Sequence, residues 1–306
     1  MTGAPQNDSA PETESPKKGS DLTVRFASGI AMIAVAVLVT IIGGWTFRIF
    51  VFIAAAAMLV EWADMHKVPR LWAYVGVLLA AGTLFGAMEY FYPNSGDGIP
   101  LSWLSFAVPL AGALLLGLAS RRMAMGWGFA YIVMPAMALA VISWFSAVPE
   151  FDGALVFWTL IVTWATDIFA YFAGRSIGGP KLAPKISPNK TWAGLIGGMI
   201  GASFCGWAAA WYFKLGTPFL WIGASMGLIA QLGDLYESWE KRRAGVKDSG
   251  TLIPGHGGVL DRLDGLLAVA VAVMIILLCG FWHPPEDMLE PYTATVMHVL
   301  PGPQAG

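Results

Sequence analysis

The chain has 306 residues, 57% of them hydrophobic and 12% charged, with 36 Gly, 14 Met and 14 Trp and a mean hydropathy of +0.64. A soluble domain carries about 25% charged residues, so this composition excludes a water-soluble globule, a secreted disulfide scaffold, a disordered chain and a nucleic-acid binder, and leaves a polytopic membrane protein. The net charge of −2 says little by itself; the placement of the charges says more.

Residues 1–21 are rich in Pro, Ser, Thr and charge and read as a disordered cytoplasmic tail. They are not expected to be a signal peptide, because the first apolar run starts late, is long enough to span and lacks a cleavage site. A hydrocarbon core about 30 Å thick takes roughly 20 apolar residues per helix. That ruler gives nine candidate spans near 24–43, 46–62, 71–91, 101–119, 125–146, 153–173, 193–213, 217–236 and 259–281. Gly43 and Gly44 alone separate the first two, which predicts a tight helical hairpin. In the seventh, Gly194, Gly197, Gly198 and Gly201 permit close helix contact. Cys205 and Cys279 lie in apolar runs without metal-ligand spacing and are expected to be small core residues. Trp45, Trp103, Trp127, Trp144 and Trp282 fall near span ends and read as interfacial anchors.

The expected architecture is an all-α, polytopic integral membrane bundle of about nine transmembrane helices with the amino terminus cytoplasmic. Its parts are the tail 1–21, amino-terminal helices over 22–152, a region over 153–284 carrying two polar cytoplasmic segments, and an extracytoplasmic tail 285–306. Orientation follows from the cations. On this topology, sixteen of the eighteen Lys and Arg fall on the cytoplasmic side, leaving Arg48 and Lys214 on the other.

The first polar segment runs from Asp167 to Thr191. Asp167 and Tyr171 stand one helical turn apart, and Arg175 follows, so that Asp167 is either a functional carboxylate or a helix-end residue paired with Arg175. A Gly/Pro-rich loop then presents Lys181, Lys185, Ser187, Asn189, Lys190 and Thr191. The P-loop string is absent. Ser-Pro-Asn-Lys-Thr ahead of an apolar helix offers hydroxyls, an ammonium and helix N–H groups to a phosphate, or else simply caps the helix through Asn189 or Thr191.

The second segment runs from Asp234 to Asp264. It holds Asp234, Asp248, Asp261 and Asp264 among Lys241, Arg242, Arg243, Lys247 and Arg262. Carboxylates at membrane depth mark a functional site, and carboxylates beside many cations suit a divalent metal with a polyphosphate. Asp261 and Asp264 share a helix face. Gly255, Gly257 and Gly258 precede the last span, where backbone N–H groups are expected to approach an anion. His256 between them either hydrogen-bonds phosphate, transfers a proton, or caps the turn.

The stretch Ser238-Trp239-Glu240-Lys241-Arg242, Lys247-Asp248-Ser249-Gly250, Pro254-Gly255-His256-Gly257-Gly258 and Asp261-Arg262-Leu263-Asp264, 27 residues in all, closely resembles the signature of phosphatidate cytidylyltransferases, the CDP-diacylglycerol synthases. Asp167, Ala170-Tyr171, Gly174-Arg175 and Ser187-Pro188-Asn189-Lys190-Thr191 resemble the family's second shared region. The likeness covers roughly residues 160–282. There are two departures. Glu240 stands where the signature has an aliphatic residue and is expected at a helix surface; Ala193 stands where a glutamate is expected.

The resemblance implies that CTP and phosphatidic acid give CDP-diacylglycerol and pyrophosphate at a bacterial inner membrane, with the site facing the cytoplasm. It implies Mg2+, with K+ associated, on Asp234 and Asp261. The expected catalytic set is Asp234, Lys241, Arg242, Lys247, Asp248, His256, Asp261, Arg262 and Asp264; Asp167, Tyr171, Arg175, Ser187, Lys190 and Thr191 are expected to bind substrate. The partners are the two substrates and the bilayer, with no nucleic acid and a homodimer left open. The alternatives are a CTP-dependent polyprenol kinase, an ion-coupled transporter and an inactive lipid-binding paralogue, the last because of Ala193.

Overall fold

A computed structural model describes residues 18–87, 104–145, 147–148, 151–253 and 257–279. The expectations for residues 1–17 and for the carboxyl tail lie outside the described residues, as do those for Trp103, Trp282 and His256 and for the side chain of Trp144.

Helices make up nearly all of it. In chain order they are α1 (Lys18–Ile42), α2 (Gly44–Met65), α3 (Arg70–Ala81, continued by a π-helical turn Gly82–Ala87), α4 (Leu104–Ser120), α5 (Met123–Phe145), α6 (Ala154–Ser176), α7 (Trp192–Tyr212), the short α8 (Thr217–Trp221), α9 (Gly223–Ala244) and α10 (Leu260–Leu278). Two antiparallel hairpins interrupt them. β1 (Ala147–Val148) pairs with β2 (Phe151–Asp152), and β3 (Lys181–Ala183) pairs with β4 (Ser187–Thr191). By length and composition α2, α5, α6 and α7 can each cross a membrane. Shorter apolar stretches occupy α1, α3 and α4. Large apolar side chains such as Phe26, Leu78 and Phe204 face outward, a surface suited to lipid rather than water.

Three spans differ from expectation. α1 begins at Lys18, inside the stretch read as tail. The third apolar run leaves α-helical geometry at Gly82. The eighth is broken: α8 ends at Trp221, and α9 runs eight residues past Tyr236. At the break the chain packs closely on α7, where a Cβ on Gly223 would lie 2.5 Å from the Ala202 carbonyl oxygen. The extension carries helix-favouring Glu, Lys and Arg, and it stops at Gly245, a left-handed C-cap with φ 78°. The Gly/Pro-rich loop of the first polar segment is also more ordered than expected, because β3 and β4 form within it.

Glycine sets the helix spacing where predicted. On α7, a Cβ at Gly197 would meet Ala173 Cβ of α6 at 2.2 Å, and one at Gly198 would meet Gln231 Nε2 of α9 at 2.5 Å. Gln231 uses that proximity to donate to the Leu195 carbonyl at 3.1 Å. On the other flank, Trp62 of α2 is buried flat against Gly128 of α5 and donates its indole N–H to the Ala124 carbonyl at 2.9 Å. Two readings of single residues change. Cys205 is half-buried and Cys279 exposed, so neither is a core residue; Cys205 lies on α7 and Cys279 caps the end of α10. Trp127, read as an anchor, is exposed but also donates to the Tyr236 hydroxyl of α9.

Candidate active site

The two polar segments meet where β4, α9, α10 and the loop before α10 converge. Lys190 of β4 reaches Asp234 of α9, Nζ to Oδ2 2.6 Å. Gly233 makes the next approach possible: a Cβ there would lie 2.8 Å from the Asp264 carbonyl oxygen of α10. Asp234 is therefore brought against Asp264, and the charges of Asp167, Asp234, Glu237, Lys190 and Arg262 act on one another here. The other Asp234 oxygen accepts a long bond from Ser238 Oγ, 3.4 Å.

One turn further along α9, Lys241 Nζ lies 2.7 Å from Glu237 Oε2 and 2.6 Å from Asp261 Oδ1. Asp261 also accepts from Ser249 N at 3.0 Å and Gly258 N at 2.8 Å. With Lys241 and a second contact to Ser249 N at 3.2 Å, the four acceptor positions of its carboxylate are filled. Gly257 is required beside it, having φ 83° and no room for a Cβ, which would meet Asp261 Oδ2 at 2.7 Å. Burial pushes the Glu237 carboxyl up to about 8; Lys241 opposes that rise and Asp261 adds to it. For Lys241, burial lowers the ammonium pKa, yet Asp261 and Glu237 outweigh it and the net direction is upward.

The start of α10 does bind an anion, but the anion is the chain's own. Glu61 of α2 accepts from Val259 N at 2.9 Å and Leu260 N at 3.0 Å, and Ser249 Oγ approaches it at 3.4 Å. Together with Asp261 on Gly258 N, this occupies three successive amides at the start of α10, one of them from a glycine that the sequence offered to a phosphate. Glu61 was missed because its partners lie almost two hundred positions away; the available signal was a carboxylate at the end of an apolar run.

Several other expectations change. Arg175 does not pair with Asp167; it donates to the Tyr171 hydroxyl at 2.8 Å, and both residues are exposed. Thr191 is the N-cap of α7, its hydroxyl accepting from Gly194 N at 3.0 Å. Glu240 is not on a helix surface. It is 4% exposed and lies 3.2 Å from His66 Nε2, with Tyr236 donating to its other oxygen at 3.2 Å. Arg242, Lys247, Asp248 and Arg262 are exposed, Ser187 half-buried. Arg242 donates to the Val246 carbonyl, and Arg243 lies over the Trp239 ring at 5.4 Å.

Among the described residues, no three His, Cys, Asp or Glu side chains form a metal-binding group. A hard divalent cation needs only one or two carboxylates when phosphates supply the remaining ligands, and Asp234 has an oxygen available for that role. The arrangement is a cluster of paired cations and carboxylates.

The family model described as the cytidylyltransferase family matches residues 23–279. A protein of Brucella abortus (strain 9-941) named phosphatidate cytidylyltransferase is 33% identical over 278 residues, covering 87% of this chain and 96% of its own. One of the same name from Bacillus subtilis (strain 168) is 31% identical over 84% of this chain and 98% of its own. A third, from Haemophilus influenzae, reaches 47% over 37% of this chain and 42% of its own. With its two polar segments brought together and its sequence matched across nearly the whole helical bundle, the chain belongs to the cytidylyltransferase family.

Proposed function

We propose that the protein is a phosphatidate cytidylyltransferase, converting CTP and phosphatidic acid to CDP-diacylglycerol and pyrophosphate for phospholipid synthesis. The observation that carries this is the closure of separate signature segments on one another through Lys190–Asp234 and Lys241–Asp261. A phosphate oxygen of phosphatidate attacks the α-phosphorus of CTP. The new O–P bond forms as the α–β bridging P–O bond breaks, and the electron pair leaves with pyrophosphate. Both reactants are anions, so the chain's task is to neutralise and align them. Lys190 and Lys241, already poised at the cluster, hold phosphate oxygens; Arg242, Lys247 and Arg262 extend that cationic surface toward the opening. Ser187 belongs to the same phosphate-binding strand. Asp167 and Asp264 balance the cations beside Asp234.

Mg2+ is the metal proposed, on Asp234 and Asp261. The donor chemistry fits, although ligation by Asp261 requires exchange of one of its present hydrogen-bond partners. When bound, the cation supplies charge neutralisation at the CTP phosphates. The proposed topology has nine spans, the amino terminus and the site on the cytoplasmic side, and a bacterial inner membrane as its setting. It is supported by the apolar helices and the alternation of cations along the chain.

The test uses purified protein in micelles with phosphatidate, Mg2+ and CTP labelled either in the cytidine ring or in the terminal phosphate. Ring label is expected in the lipid extract. Terminal-phosphate label entering added polyprenol would establish the kinase instead. Movement of neither label would favour the inactive paralogue or the ion-coupled transporter, and Ala193, half-buried in the first turn of α7, would be the residue to replace first.

A further inference from the structure

We infer that Glu61 is a positioning residue of the active site, acting from the half of the chain that carries no signature. The inference rests on the cytidylyltransferase reading. Glu61 is 7% exposed and is held from behind, because its neighbour Trp62 is locked between Gly128 and the Ala124 carbonyl. Its carboxylate takes the first two amides of α10, Val259 N and Leu260 N, and meets Ser249 Oγ. The residue that follows Leu260 is Asp261, and the other contacts of Asp261 are Ser249 N, Gly258 N and Lys241. Glu61 thus fixes both ends of the loop that orients Asp261, and through Asp261 the Lys241 ammonium.

Two glycines of the signature independently point to the same carboxylate. A Cβ on Gly250 would lie 2.8 Å from Glu61 Oε1, and a Cβ on Gly258 would meet Ser249 Oγ at 2.1 Å and Glu61 Oε2 at 2.7 Å. Neither glycine has the positive φ that would otherwise call for glycine. Glu61 fills the space of the side chain missing at Gly250, and Glu61 with its partner Ser249 fills that missing at Gly258.

The experiment compares wild type with Glu61→Gln, Glu61→Asp and Gly250→Ala in micelles. It measures kcat and KM for CTP, the thermal midpoint, and amide hydrogen exchange over residues 257–262. Glutamine keeps the shape but can accept from one amide while turning an NH2 toward the other. It is expected to lower kcat per folded molecule about tenfold or more, the usual cost of losing a supporting contact, with KM for CTP changed much less. Exchange at Val259 and Leu260 should speed up in the same protein. Aspartate keeps the charge at shorter reach and should fall between the two. Gly250→Ala displaces the carboxylate without removing it and should reproduce the kcat loss.

Wild-type kcat in folded Glu61→Gln and Gly250→Ala would overturn the inference. So would a kcat loss that merely tracks the folded fraction, or one without faster exchange at residues 259–260. If Glu61→Gln does not fold, Gly250→Ala decides. Should wild type transfer no cytidylyl group, the enzymatic reading fails by itself, and slow exchange at Val259 and Leu260 lost in Glu61→Gln would still establish the cap.

Discussion

Glu237 sits in the least hospitable position of the cluster. It is 1% exposed, and Lys241, which it shares with Asp261, is its close cation. With its carboxyl at about 8 in the folded protein against an ordinary 4.5, it keeps a proton that the unfolded chain has released across that interval. Stability therefore falls as pH rises from about 4.5 to about 8 and levels off above it. Glu237→Gln removes this titration, so the thermal midpoint in detergent should decline less over that range than in wild type. Parallel curves for the two proteins would refute the assignment. The sequence displayed Asp234, Glu237 and Lys241 at helical spacing on one face, but it could not show which carboxylate would be buried. Glu240 carries the same lesson. Set against an aliphatic pattern it read as a surface substitution, whereas its partner His66 lies on a different helix.

Among the elements, α2 and α9 are joined by that pair. His66 caps the end of α2, with Nδ1 3.1 Å from the Trp62 carbonyl and Nε2 3.2 Å from Glu240. Both ring nitrogens face oxygens, so the ring ties the carboxyl end of α2 to α9. Removing either partner strands the other in a buried place, at a cost of about 1–3 kcal/mol. His66→Ala and Glu240→Leu should each lower stability, and the double variant should lose clearly less than their sum. Additive losses in unfolding measurements would show that the pair is not coupled. The glycine pattern of α7 was legible because small residues at helical spacing have one use in a packed bundle. The β3–β4 hairpin and the break before α9 were not, since both depend on contacts with neighbouring elements.

For the whole molecule, the alternating cations remain the strongest sequence-level statement about orientation, and they are testable. In a background lacking the free Cys205 and Cys279, Lys185→Cys and Lys214→Cys place thiols at two exposed positions on opposite sides of the proposed membrane. An impermeant maleimide should label the second in intact cells and the first only in inside-out vesicles. The reverse pattern would overturn the topology. Most of the candidate site was legible because fixed spacing over 27 residues survives in one dimension. Its support from α2 was not, because that contact exists only after the chain has folded back across the bundle.

The ion pairs themselves carry a consequence for turnover. Lys190 is matched to Asp234 and Lys241 to Asp261, so on the proposed mechanism a nucleotide meets two lysines that already have partners. Binding is then an exchange of partners, and its free energy is the difference between two sets of contacts rather than the full attraction of ammonium for phosphate. Such a site grips a highly charged reactant only moderately and recovers its internal pairs as pyrophosphate departs. Release is thereby assisted by the same lysines that made capture possible.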